Sequence, residues 1–457
     1  RARAEVSGLV LRHRGRTDVT PLIRVDRLQI ATSIFGAVRR PTRIQDVRLE
    51  GLKIHVPPGG LDREDYDRRP DRPRTGTPVV IDEIQSEDAV LEVATDEPSK
   101  PPLRFDLHRL SIRDASLDRP LRFDATLTNP KPEGSIETTG EFGPFDRDEP
   151  RRTPVEGRFT FTRADLATVG GIAGMLSSSG EFTGALGRIA VKGKTKTPDF
   201  RLKSAGHAVP LETTFRAVVD GTNGNTFLDT VRAELGSTTI LAEGAVAEEE
   251  GEDGRSVTLD VRVRGGRLED TLRLALKSRT VPMRGTLRLD TSFALPPGDR
   301  DVIERLRLDG AFSVADASFG SARIQKRVDD LSERARGEPD ETAGRADENV
   351  VSDLKGRFTL RDSVLRFTEL AFAVPGATVT LTGTCDLQRQ ELDLRGTLRM
   401  HAKVSETTSG VKSFFLKLLD PLFKGRRGGS AVPITITGKT TDPSFGVDVG
   451  RMLGGKK

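Results

Sequence analysis

The tripeptide Gly-Lys-Thr occurs at residues 193–195 and again at 438–440, and it is the tripeptide that closes a phosphate-binding loop. Such a loop reads GxxxxGK[ST], because the first glycine opens the backbone nest around the phosphate and a helix follows the lysine. Five residues before Gly438 stands Pro433, and five before Gly193 stands Arg188. Both copies then run into proline (Pro198 and Pro443) rather than into a helix. The flanks are alike as well: IAVKGKTKTPDF and ITITGKTTDPSF share Ile, Gly, Lys, Thr, Pro and Phe in register. One local structural unit is therefore expected twice, with Pro443 ending a strand and Phe445 and Phe200 turned to the apolar side. Nucleotide binding is not expected.

Other chemistry-bearing residues fail on spacing. The histidines (13, 55, 108, 207, 401) form neither HxxxH nor HExxH, so no zinc site is expected. No GxSxG is present for a nucleophile elbow. GGIAG at 170–174 lacks the third glycine of a dinucleotide fingerprint. VDGTNGN at 219–225 has a glycine, Gly224, where a calcium loop needs a ligand, and Asn223-Gly224 is a turn dipeptide. The expectation is a protein that is not an enzyme and carries neither cofactor nor metal.

Composition points to what must position such a chain. Of 457 residues, 35% are hydrophobic and 31% charged, with no Trp, one Tyr and 21 Phe. The 46 Gly and 26 Pro are scattered, which suits many short elements joined by turns. Lys and Arg number 72 against 68 Asp and Glu, and the two signs interleave without a basic, aromatic-studded stripe, so nucleic acid is not an expected partner. The single Cys385 excludes an internal disulfide. The longest uncharged stretch, 370–385, contains Glu-free but Gly- and Pro-bearing sequence and is too short to span a bilayer.

Alternation with period two recurs along the chain, the mark of strands with one apolar face. It places Val257, Leu259, Val261 and Val263 together, then Leu287, Leu289 and Phe293, then Val379 and Leu381, then Leu392, Leu394 and Leu398. Val47, Leu49, Leu52, Ile54 and Val56 alternate similarly around Gly51, and Gly244 and Gly383 interrupt their strands where a sheet must bend. Segment 58–77 has ten charged residues in twenty and is expected to be a disordered loop. Segment 326–349, with thirteen in twenty-four, is expected to be a charged helix and loop. Helices are expected at 164–180, 268–277 and 411–422; the last collects Phe414, Phe415, Leu418 and Leu419 on one face, to cap the apolar surface or touch a membrane. So few helices cannot cover the strands' apolar side. Either two sheets pack together or one curls into a trough.

Several phrases resemble the AsmA-like family: SGEFTGALGRIAVKGKTKTPDFRL, VPLETTFRAVVDGTNGNTFL, the run from FAVPGATVTLTG through VKSFFLKLLDPLFKG, and SAVPITITGKTTDPSFGVDVGR. The opening strands ending LEGLKIHVPPG are similar to that family's chorein-like N-terminal portion. The resemblance implies an all-β fold, an elongated, curled antiparallel sheet forming a U-shaped hydrophobic groove with a few short capping helices. It implies a chorein-like portion over 1–57, β-groove over 78–325, and an AsmA-like C-terminal groove region over 350–457. It further implies a periplasmic protein of the bacterial envelope, anchored in the inner membrane by an upstream helix and conducting phospholipid acyl chains toward the outer membrane. Outer-membrane proteins are the implied partners under an alternative role in their assembly.

Overall fold

The computed structural model describes residues 2–12, 20–33, 42–56, 79–93, 102–116, 118–146, 149–203, 207–248, 254–278, 280–320, 322, 325–326, 329, 352–400 and 431–447. The loop expected at 58–77, the helix expected at 411–422 and most of 326–349 lie outside the described residues. The chain is nearly all β, 73% strand and 7% helix, built as antiparallel sheet with few helices. It divides into two units: 1–198 with 212–231 and 244–256, and 199–211 with 232–243 and 257–457.

The first unit holds β1 (Ala2–Leu11), β2 (Ile23–Thr32), β3 (Thr42–Glu50), β4 (Lys53–Val56), β5 (Val79–Val93), β6 (Leu103–Ala115), β7 (Leu121–Pro130), β8 (Glu133–Phe142), β9 (Pro154–Asp165), β10 (Ile172–Ala173), β11 (Met175–Ala185) and β12 (Arg188–Thr197). From β5 onward the long strands pair with their neighbours, antiparallel, in the order β5–β6–β7–β8–β9–β11–β12. The start departs from an all-antiparallel expectation. β2 runs antiparallel to β1, β3 and β4, but β5 lies parallel to both β3 and β4. Parallel neighbours need a long crossover, and residues 57–78 provide the length. β3 and β4 are one apolar series broken at Gly51, whose φ of 65° and lack of Cβ are both required: a Cβ would lie 2.2 Å from Asp26 Oδ2. Val25, Leu52, Ala89 and Leu107 form the buried core of this end.

The expected helix at 164–180 is absent. A single 3-10 turn at Leu166–Val169, capped by Asp165 accepting from the Ala167 amide, is followed by β10 and β11. Gly170, Gly171 and Gly174 all take positive φ, and three such residues cannot continue a helix.

Next in sequence come β13 (Arg201–Leu202), β14 (Leu211–Val219), β15 (Thr226–Leu235), β16 (Thr238–Glu248) and β17 (Arg255–Arg267). The second unit continues with α1 (Leu268–Ala275), β18 (Met283–Leu295), α2 (Val302–Arg305), β19 (Arg307–Phe319), β20 (Ser352–Arg361), β21 (Val364–Val374), β22 (Ala377–Asp386), β23 (Glu391–Met400), β24 (Ala431–Lys439) and β25 (Asp442–Val447). From Val257 of β17 to β25 every strand pairs antiparallel with the next. Register shifts interrupt five of these pairings, and bulges of this kind bend and twist a strand. Gly244 and Gly383 take positive φ, as their strand-interior positions suggested.

The repeated Gly-Lys-Thr phrases part company at proline. Pro198 follows β12 as a turn, whereas Pro443 lies inside β25 opposite Gly438. The second copy is thus a hairpin, and Pro443 does not stop the ladder. A proline is tolerated there because β25 pairs on one side only among the described residues, so no donor is missed. Phe445 pairs with Ile436 on the apolar side, as expected.

A packing rule runs through the first unit: phenylalanine rings lie across glycines of the neighbouring strand. Phe123 faces Gly140, and Phe182 faces Gly157. A Cβ on Gly157 would sit 2.4 Å from Thr139 O and 2.6 Å from Phe182 Cζ. Gly157→Ala gains at most about 1 kcal/mol from a stiffer unfolded chain, whereas overpacking costs about 1–3 kcal/mol. The substitution is therefore expected to lower the urea midpoint at unchanged slope; an unaltered or raised midpoint would contradict the ring-on-glycine packing.

Candidate apolar ligand face

In the first unit the strands β8, β9, β11 and β12 present alternating sides. On β9, Val155, Gly157, Phe159 and Phe161 are half-buried while Glu156, Arg158, Thr160 and Thr162 are exposed. On β12, Ile189, Val191, Gly193 and Thr195 are half-buried and Lys192, Lys194 and Lys196 exposed. Ile136, Gly140 and Phe142 of β8 and Phe182 of β11 complete the same side by register. Half-burial is the informative state here. A side chain in a closed core would be inaccessible, whereas these remain open to a ligand on one side. None of these residues was among the twelve predicted to form the groove. Their period-two signal was present in VEGRFTFT and SSSGEFTG, but glycines in apolar positions shortened the apolar runs.

In the second unit burial divides the twelve. Val257, Leu259, Val261, Leu289, Phe293 and Leu392 are half-buried. Val263, Leu287, Val379, Leu381, Leu394 and Leu398 are buried, at 2–8% exposure. The buried six belong to two core clusters. Val263 and Leu287 pack with Val314 and Ala317; Val379, Leu381, Leu394 and Leu398 pack with Leu370, Val432 and Ile434. Rings roof this region. Phe312 lies over Gly356 of β20, 2.9 Å from where a Cβ would be, and its centroid is 6.0 Å from Phe358 and 6.3 Å from Phe367. Phe319 and Phe372 meet edge-on at 5.7 Å. The half-buried residues form a continuous cross-strand rung: Leu259, Phe293, Leu308, Leu360, Leu365, Cys385 and Leu392 are successive register partners, with Leu360 and Cys385 its buried members. Phe414, Phe415, Leu418 and Leu419 lie outside the described residues.

The opposite side is a lattice of ion pairs across strands. Lys192 bonds Glu181 at 3.0 Å, Arg262 bonds Glu243 at 2.8 Å, and Arg264 holds Asp290 through two bonds of 2.8 and 2.6 Å. The Lys192 hydrogen bond holds the Glu181 carboxyl below its ordinary range, and the Arg264 bond does the same for Asp290. These exposed pairs add little net stability. Their consequence is solubility and face assignment, since a strand flipped by one residue would bury them.

The remaining candidates resolve into structural roles. Asp220, in the calcium-like loop, accepts from Thr222 N at 2.9 Å and Thr222 Oγ1 at 2.5 Å, and its other oxygen takes Arg151. Its carboxylate is thus occupied within an Asx turn, and no group of potential metal ligands occurs among the described residues. Two acids are buried at the start of α1. Asp270 accepts from Ser237 N and Thr238 Oγ1, and Glu269 from Arg267. Asp270 ties α1 to the β15–β16 turn, while Glu269 holds the N-cap Arg267 through Oε1 and its Oε2 is buried without a hydrogen-bond partner among the described residues.

Cys385 is buried, and desolvation, assisted by the charge of Asp386, pushes its thiol up to about 11. It is therefore expected to behave as a small apolar side chain of the rung. At pH 8 only about one thiol in a thousand would be ionised. Native protein is expected to react with a chromogenic disulfide roughly a hundredfold more slowly than protein unfolded in guanidinium; equal rates would show the rung to be open at that point.

No family model matches the chain, and no curated protein or solved structure matches it.

Proposed function

We propose that this protein binds and conducts glycerophospholipid acyl chains, without catalysis, along the half-buried apolar side of its sheet. The observation that carries the reading is the one-sidedness of the strands. Val155, Phe159, Phe161, Ile189 and Val191 in one unit, and Val257, Leu259, Val261 and Phe293 in the other, stay partly open. A methylene moved from water onto such a surface gains at most about 0.8 kcal/mol, so a sixteen-carbon chain gains on the order of 12 kcal/mol. Residues that repeat nearly the same aliphatic environment from strand to strand keep that gain level, which allows movement along the surface. The AsmA-like resemblance supports the same reading. With it come the bacterial envelope, a periplasmic location, an inner-membrane anchor upstream and a sheet curled into a trough, all as parts of the proposal.

A second reading, an assembly factor for outer-membrane proteins that offers strand edges, is favoured by β1. All ten of its residues are exposed, including Val6, Leu9, Val10 and Leu11 at 40–54%, and it pairs only with β2 among the described residues. Such an edge can accept another strand.

Gently extracted protein is expected to carry phospholipid detectable by mass spectrometry. Leu259→Asp and Phe159→Asp should each reduce crosslinking of a photoactivatable acyl chain at least about tenfold, because an unpaired charge on that surface is costly to desolvate. Leu381→Asp, in a buried position, tests folding instead. Extraction without lipid, together with crosslinks from β1 to barrel precursors, would replace the first reading with the second.

A further inference from the structure

The sheet's second unit carries a polar cavity of about 280 Å³ at its rim, away from the apolar rung's side chains but next to the strand ends that bear them. It is lined by the β18–β19 connection and by the start of the β20–β21 turn, with Arg300, Arg305, Arg307 and Arg361 among its walls. The loop is shaped from within: Arg305 Nε donates to Arg300 O at 2.8 Å and Arg305 Nη1 donates to Pro296 O. Among the described residues the other three guanidinium groups, those of Arg300, Arg307 and Arg361, make no direct ion pair with a carboxylate. Against the three carboxylates in the lining (Asp299, Glu304, Asp362) the four arginines leave one formal positive charge in excess. Moreover, β19 and β20 pair Leu308 with Leu360, so the next position outward sets Arg307 directly opposite Arg361. Like charges directly opposite on adjacent strands destabilise a sheet unless something neutralises them.

We infer that this rim cavity binds a phosphate group, and specifically a phosphodiester that also carries a hydrogen-bond donor. Three guanidinium groups spread around one cavity suit a tetrahedral oxyanion, because each can direct a fork of N–H donors at it, while a planar carboxylate takes one fork. Asp299, Glu304 and Asp362 line the same cavity. Glu304 already accepts from Gln388 Nε2 at 3.1 Å, leaving Asp299 and Asp362 as acceptors for an ammonium or hydroxyl donor on the ligand. Leu308 and Leu360, members of the apolar rung, are each one residue from these arginines, about 3.3 Å along the strand. Alternation sets these arginines on the opposite side of the sheet from the two leucines, so an acyl chain attached to a phosphate held here would reach the rung by passing around the strand ends. The phosphate site stands on the arginines alone; assigning the phosphate to a lipid rests on the proposed acyl binding.

The test uses the full chain, a double variant Arg307→Gln/Arg361→Gln, and glycerophosphoethanolamine as a soluble probe followed by phosphorus NMR and thermal unfolding. The probe is expected to bind the wild type and raise its unfolding temperature, with affinity at least about tenfold weaker in the variant. The unliganded variant is expected to unfold no earlier than wild type, since it loses a repulsion, which separates loss of a site from loss of the fold. No binding to wild type at millimolar probe, or equal binding to both proteins, would overturn the site. Vesicles of phosphatidylethanolamine then distinguish the source. Lipid uptake that falls in the variant supports a lipid headgroup as ligand. Probe binding lost in the variant while uptake persists supports the phosphate site and overturns its headgroup assignment. A wild type that binds the probe but takes up no lipid supports the site while removing the acyl-conducting function.

Discussion

A sheet with one apolar side must either cover that side or share it, and everything else in this chain follows from which option each region takes. The described helices are short: α1 has eight residues and α2 four, far too little to roof ten or more strands. Where the second unit closes its apolar side it does so with its own side chains, rings over glycines and leucines over valines, producing the buried clusters around Val314 and Leu381. At Leu259 and Phe293, and at Val155, Phe159, Phe161, Ile189 and Val191 of β9 and β12, the side chains stop at half-burial. Closed and open stretches share the same covalent pattern, and both seat phenylalanine rings over glycines of the neighbouring strand.

That placement also explains why the charged side is so regular. A sheet whose glycines accept rings from neighbouring strands has little freedom to slip by one residue, because slippage would put a ring against a backbone carbonyl. Lys192 with Glu181 and Arg264 with Asp290 record the chosen register on the solvent side. Electrostatics here confirms a register that sterics set, and contributes little of the energy itself.

The period-two runs of Val and Leu in β17, β18, β22 and β23 were legible because each strand's apolar residues are local and uninterrupted. Their burial was not, since whether Leu381 is roofed depends on strands far away in sequence. The face over β8 to β12 was hidden for the opposite reason: glycine counts as a breaker in a local reading, yet Gly140, Gly157 and Gly180 are the seats for rings on adjacent strands. Gly170, Gly171 and Gly174 carried the signal against a helix at 164–180, but hydrophobic spacing at helical period outweighed it. The parallel pairing of β3 and β4 with β5 was permitted but not dictated by the sequence, because a connection as long as 57–78 allows either direction. The arginine-lined rim was invisible for a similar reason, as Arg307 and Arg361 become neighbours only through the β19–β20 register.

Nearest-neighbour pairing has a kinetic side. From β17 at Val257 to β25 each strand adds to the one just made, so chain closure is mostly local and the cost of each closure is modest. Such an array behaves as a row of coupled rungs: opening begins at an end and travels inward, and a defect is felt chiefly by the strands beside it. The exceptions are β3–β5, β19–β20 and β23–β24, whose nearest partners (Thr42 and Val79, Ala317 and Ser352, Arg399 and Ala431) all lie more than thirty residues apart. Assembly is thus expected to be quick within the hairpins and slowest at these three long closures, which divide the chain into segments that form first and join later.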